Sequence, residues 1–198
     1  MGETWLDTNY ETEGERALQM TVEQLALVLS DPYRWKWVII VLHNSLQAFL
    51  VYTVSGSDQL GAMTEKYQRK WREAYERGEI PSRKGEYLAP VKDLMERARN
   101  LKGYTHTQPL PASAEQDLAV ERLGDWRDRF IHYKPGGLGI EVSGFPGICL
   151  TCLDVIEFLV FKTGHVFIGS DAALRVRTLQ GQARDLLRHL QDAYSASP

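Results

Sequence analysis

Apolar residues recur every three to four positions along most of this chain, the period of helices with one buried face. Leu18, Val22, Leu25 and Leu29 draw one stripe along a helix over 15–30. Asp31-Pro32 ends it, because the residue before a proline disfavours helical geometry and the proline suits a new helix start. The next helix, 33–54, is apolar nearly all round, as a central helix should be, and Ser55-Gly56-Ser57 breaks it. Residues 62–77 are polar and strongly charged, with Tyr67, Trp71 and Tyr75 four apart in one stripe that would cover the core. Gly78 and Pro81 mark a loop, and 90–101 is a short helix with Val91, Leu94, Met95 and Ala98 inward.

Gly103, Pro109 and Pro111 mark the next loop. Ser113 then offers an N-cap, with Gln116 as its capping-box partner, for a helix reaching about His132. Leu118, Leu123, Trp126 and Phe130 can share its buried side, and Lys134-Pro135-Gly136-Gly137 stops it. The glycine-rich stretch 136–147 is irregular, with 138–142 a candidate extended segment, and two helices over about 148–163 and 172–194 close the chain. The pattern predicts an all-α fold: a single-domain bundle of about six helices over 15–198, preceded by a flexible acidic arm over 1–14.

Composition narrows the function classes. With 43% hydrophobic and 25% charged residues the chain is of globular type, and 198 residues suffice for one sizeable core. A net charge of -3 argues against a protein that coats nucleic acid broadly, since phosphate neutralisation supplies most of such affinity; it leaves room for a small basic pocket. Cys149 and Cys152 lie three apart on one helix face, so they suit core packing and a reducing compartment rather than a disulfide framework, and zinc would need two further ligands. The N-terminal stretch carries Glu3, Asp7, Glu11 and Glu13, unlike a signal peptide. The most apolar run, 38–54, is broken by His43, Asn44, Ser45 and Gln47, which favours a buried helix over a membrane span. The expectation is a soluble, cytoplasmic protein with no membrane association, no metal and no cofactor.

The segment richest in chemistry is Arg127-Asp128-Arg129-Phe130-Ile131-His132. Pro135 should leave His132 in the last helical turn, where the macrodipole favours a protonated imidazole. Arg127 stands five residues back, roughly 140° round the helix, so the two would flank a shared ligand rather than stack. Asp128 and His132, four apart, face each other, which suits a carboxylate orienting an imidazole. Arg127-Asp128 with His132 resembles the R-x(4–6)-H signature of the HEPN superfamily, whose members are helical bundles with a polar residue after the arginine. The runs 42–47 and 140–146 are similar to those of HEPN-like bacterial proteins.

The resemblance implies a metal-independent endoribonuclease, dimeric, with two motifs meeting at one cleft. His132 would be general base on a ribose 2′-hydroxyl or acid on the leaving group, Arg127 would hold the scissile phosphate, and Asp128 would orient one of them. Arg129, Lys134, His43 and Asn44 fall to substrate binding, although His43 and Asn44 also suit a buried polar network. The partners implied are RNA or a nucleotide, a second copy of the chain, and an antitoxin-type protein. Arg99-Asn100 with His106 and Arg184-Asp185 with His189 match the same signature. Two other readings stay open: a non-catalytic module that binds nucleotide or RNA, and a dimerising interaction protein with no nucleic-acid role.

Overall fold

The computed structural model describes residues 4–82, 84, 87–103, 106–132 and 139–196. Among them the chain forms seven helices and no strand: α1 (Tyr10–Leu25), α2 (Arg34–Ser55), α3 (Glu65–Glu76), α4 (Val91–Arg99), α5 (Ala114–Ile131), α6 (Phe145–Phe161) and α7 (Ser170–Ser195). The fold is all-α, in one compact domain.

α1 begins inside the stretch expected to be an arm. Asn9 has extended backbone and its side chain accepts the Thr12 N–H at 2.9 Å, which caps the helix, while Glu11 and Glu13 occupy the first turn where carboxylates suit the macrodipole. The acidic residues there serve a helix start. Gly14 explains the next contact: a Cβ would stand 2.7 Å from the Phe49 ring, so only glycine lets α1 lie this close to α2. The Ser45 hydroxyl donates to the Gly14 carbonyl at 2.9 Å across the same seam. α1 stops at Leu25, and 26–30 continue as turns.

α2 is the spine, packing on α1, α4, α5 and α6. Trp35, Ile39, Leu42, Leu46, Phe49 and Leu50 are all but fully buried, each contributing about 1.5–3 kcal/mol of transfer free energy. By length and composition α2 would span a membrane, and 67% of its most apolar window is buried inside the bundle, as in a core helix.

α3 stands apart, with no substantial packing on another helix among the described residues. It is tied instead to the loop that follows, through Thr64 N–H to the Tyr87 carbonyl and Lys70 Nζ to the Lys84 carbonyl. Its aromatic stripe covers the core only at Tyr67; Tyr75 is 67% exposed and stacks on Trp71. Six helices therefore make the bundle.

Ser113 caps α5 as expected, accepting from Gln116 N–H at 3.3 Å, whereas the Gln116 side-chain oxygen is buried without a partner, so the reciprocal half of the box is not made. The inward face of α5 is Ala119, Val120 and Leu123, with Trp126 and Phe130 half-buried. Leu118 is exposed, a correction to its expected place, because it lies one position off the 119-123-126-130 stripe. α6 begins at Phe145, with Pro146 in its first turn, where a missing N–H costs nothing. The described part of the candidate extended segment, 139–142, is not a strand. Cys149 and Cys152 are buried free thiols in the core, and burial pushes both thiols up.

Candidate functional site

The last two turns of α5 are held by aromatic contacts. Phe145 of α6 is fully buried and meets Trp35 of α2 edge-on at 5.2 Å and Trp126 of α5 at 4.1 Å. These contacts fix the rotation of α5. They turn the next residue, Arg127, toward α2 and leave Asp128 and Arg129 exposed.

Arg127 is half-buried between two groups. Its Nη2 lies 3.3 Å from Nε2 of His43, and its Nη1 lies 2.7 Å from the Asp128 carboxylate, which is 60% exposed. His43 is only 2% exposed. Burial first, and then the Arg127 charge, push its imidazole down to about 4, against a smaller upward pull from Asp128, so His43 is neutral at pH 7. A guanidinium offers only donors. Nε2 of His43 is therefore the acceptor, and the ring proton sits on Nδ1. That Nδ1, and Nε of Arg127, are buried with no hydrogen-bond partner among the described residues.

His132 sits just past the helix end. Its backbone is no longer helical (φ -103, ψ 89), although its N–H still donates to the Asp128 carbonyl at 2.8 Å. Its side chain is exposed, and among the described residues no hydrogen bond or ion pair joins it to Arg127 or Asp128. The expected Asp128–His132 side-chain pair is thus corrected. The opening of the last turn takes His132 out of the i,i+4 register, and the adjacent guanidinium is the stronger partner for the carboxylate.

The two residues read together on α2 separate. His43 is buried behind Arg127, out of reach of a dissolved substrate, while Asn44, one position round the helix, is exposed. Arg129 is exposed beside Asp128. Lys134, with the Pro135-Gly136-Gly137 stop, lies outside the described residues. The signal for the Arg127–His43 contact was a histidine in an apolar helix, which needs a polar partner from somewhere.

The other two matches to the signature are differently placed. Arg99 is 20% exposed and ion-pairs with Asp117 of α5 at 2.6 Å. Arg184 is 17% exposed and bridges Asp154 and Glu157 of α6 at 2.6 and 2.8 Å. His106 and His189 are exposed. An open concavity of about 340 Å³ by the C-terminal end of α2 is lined by Val54, Gln68, Arg97 and Lys102, but its Arg97 is spent on the Gly61 and Met63 carbonyls. Among the described residues, no three His, Cys, Asp or Glu side chains converge as metal ligands would. In comparison with known proteins, the chain matches no family model, no curated protein and no solved structure.

Proposed function

We propose that this chain is a metal-independent endoribonuclease of HEPN type, acting as a homodimer, with Arg127 on the scissile phosphate and His132 as the proton carrier. The observation that carries the reading is the state of Arg127. Its guanidinium leans on a neutral imidazole and, among the described residues, is otherwise paired only with an exposed neighbouring carboxylate. Such surface pairs are worth little, so a phosphate diester can displace Asp128 and take a bidentate grip. His132 stands exposed just over one turn further on.

The chemistry follows from those two groups. His132 takes the proton of a ribose 2′-hydroxyl, and the oxygen attacks phosphorus. The bond to the 5′-oxygen breaks, and that oxygen leaves with a proton supplied by the second copy's imidazolium. The products are a 2′,3′-cyclic phosphate and a 5′-hydroxyl, and Arg127 stabilises the charge that builds on the non-bridging oxygens. Exposed Tyr33 and Trp37 on the start of α2, and Ile131 at the end of α5, offer apolar area for a second copy.

A second reading, RNA binding without turnover, is favoured by one observation: His132 and Arg127 share no bond or common partner side chain among the described residues. Purified protein incubated with mixed RNA in EDTA separates the two. Cleavage to cyclic-phosphate ends, reduced by about 100-fold or more in His132→Ala, supports the nuclease. RNA retained intact by both proteins sinks it in favour of the binding module.

A further inference from the structure

His43 is a costly residue for its position. Its neighbours in the α2 core are Leu42, Leu46 and Ile39, and a leucine would fill the site without polar atoms. The histidine leaves its Nδ1 proton buried without an acceptor among the described residues, an uncommon state for a buried polar group in a folded protein. What the position gains is the one lone pair that faces Arg127, at Nε2, 3.3 Å from Nη2. Among the described residues the charged groups that act on it are Arg127 and Asp128, both on α5. An arginine on a half-buried helix face has several rotamers open to it. A carboxylate in place of the imidazole would fix the guanidinium equally well, but would also cancel its charge, as Asp154 and Glu157 do for Arg184. A neutral acceptor fixes direction and leaves the charge for an incoming anion.

We propose that His43 is the positioning residue of Arg127: its buried neutral imidazole, acting only as an acceptor, aims the guanidinium at a phosphate diester without neutralising it. The proposal rests on the reading of Arg127 as the phosphate-holding group. It assigns His43 no contact with substrate.

The first test does not depend on cleavage. Long-range 1H–15N spectra of imidazole-labelled protein at pH 7 should show a neutral His43 with its proton on Nδ1, and a changed ring signal in Arg127→Leu. A His43 protonated at Nε2, or charged, overturns the inference whatever RNA does. The second test compares His43→Gln, whose side-chain oxygen reaches the Nε2 position, with His43→Leu, which has no acceptor. In the EDTA cleavage assay, His43→Leu should lower kcat by about 10- to 100-fold with a smaller rise in KM of about three- to tenfold, because misaiming a charged group weakens binding and costs more in the transition state. His43→Gln should recover to within about fivefold of wild type. Equal loss in both variants, or no loss in either, overturns the proposal. If wild type cleaves nothing, the nuclease reading fails separately. Binding of a 2′-O-methyl oligoribonucleotide by fluorescence anisotropy then decides: weaker in His43→Leu and retained in His43→Gln supports positioning, and equal affinity in all three overturns it.

Discussion

Arg127 and Arg184 occupy the same local sequence, Arg-Asp with a histidine five residues on, yet their surroundings are opposite. Arg184, in the middle of α7, reaches across to α6 and is held by two carboxylates, Asp154 and Glu157. Its charge is balanced on the spot, and the arrangement ties two helices together. Arg127, near the end of α5, meets a neutral imidazole from α2 and a carboxylate from its own helix. One arginine meets two carboxylates and the other one carboxylate and a neutral ring. A short spacing motif does not distinguish them; what decides is the partner on the facing helix. Arg99 is closer to Arg127: it has one carboxylate partner, Asp117, itself 53% exposed, and among the described residues its Nε is likewise buried without a hydrogen bond, so the imidazole is what sets Arg127 apart.

The largest effect that would break this comparison concerns the imidazole. His43 is held down to about 4 in the folded chain, below the 6.5 of an unfolded histidine. The unfolded chain therefore binds the extra proton across that window, and stability should fall as pH drops through 6.5 toward 4. The full difference is roughly 3 kcal/mol at one unit per 1.36 kcal/mol. Urea unfolding at pH 7, 5.5 and 4.5 should show a steeper acid-side loss in wild type than in His43→Gln. Parallel profiles for the two proteins would mean that His43 is not buried neutral against Arg127.

A smaller effect tests the other side. Arg184→Met should destabilise by about 1 kcal/mol, since it removes a forked pair whose carboxylates are about half exposed and leaves Asp154 and Glu157 facing each other. RNA cleavage per folded molecule should stay at the wild-type rate. Urea denaturation and the EDTA assay read the two quantities apart. A loss of cleavage without a loss of stability would move the site to α7 and undo the ranking of the two arginines.

What the sequence makes legible here is whatever depends on near neighbours. The periods and breakers of α2, α4 and α7, the Ser113 cap and the burial of Cys149 and Cys152 all follow from residues within one or two turns. The misreadings have local causes too. Asn9 is an N-cap that sits among acidic residues, Pro146 opens a helix at the end of a glycine-rich stretch, and Leu118 falls beside the buried stripe. The site was legible only in part. Arg127 stands out by its position near a helix end, but its partner His43 is 84 residues away. Helical spacing gives angles within one helix and nothing about which helix lies opposite, so it favoured Asp128 with His132 over Arg127 with His43.

The smallest effect is the most diagnostic of how Arg127 is used. Asp128 is 60% exposed, and its pair with Arg127 should contribute under about 0.5 kcal/mol, so Asp128→Asn should leave urea unfolding nearly unchanged. It should also release the guanidinium. If Asp128 is a displaceable occupant of the phosphate site, the variant binds a 2′-O-methyl oligoribonucleotide up to about twofold more tightly, the free energy of one exposed pair returned as affinity. If instead Asp128 swings to His132 and orients it during the reaction, affinity stays level and kcat falls. The two roles thus predict changes in different quantities, and anisotropy with single-turnover cleavage on one pair of proteins decides between an arginine guarded by its neighbour and a carboxylate that serves the histidine.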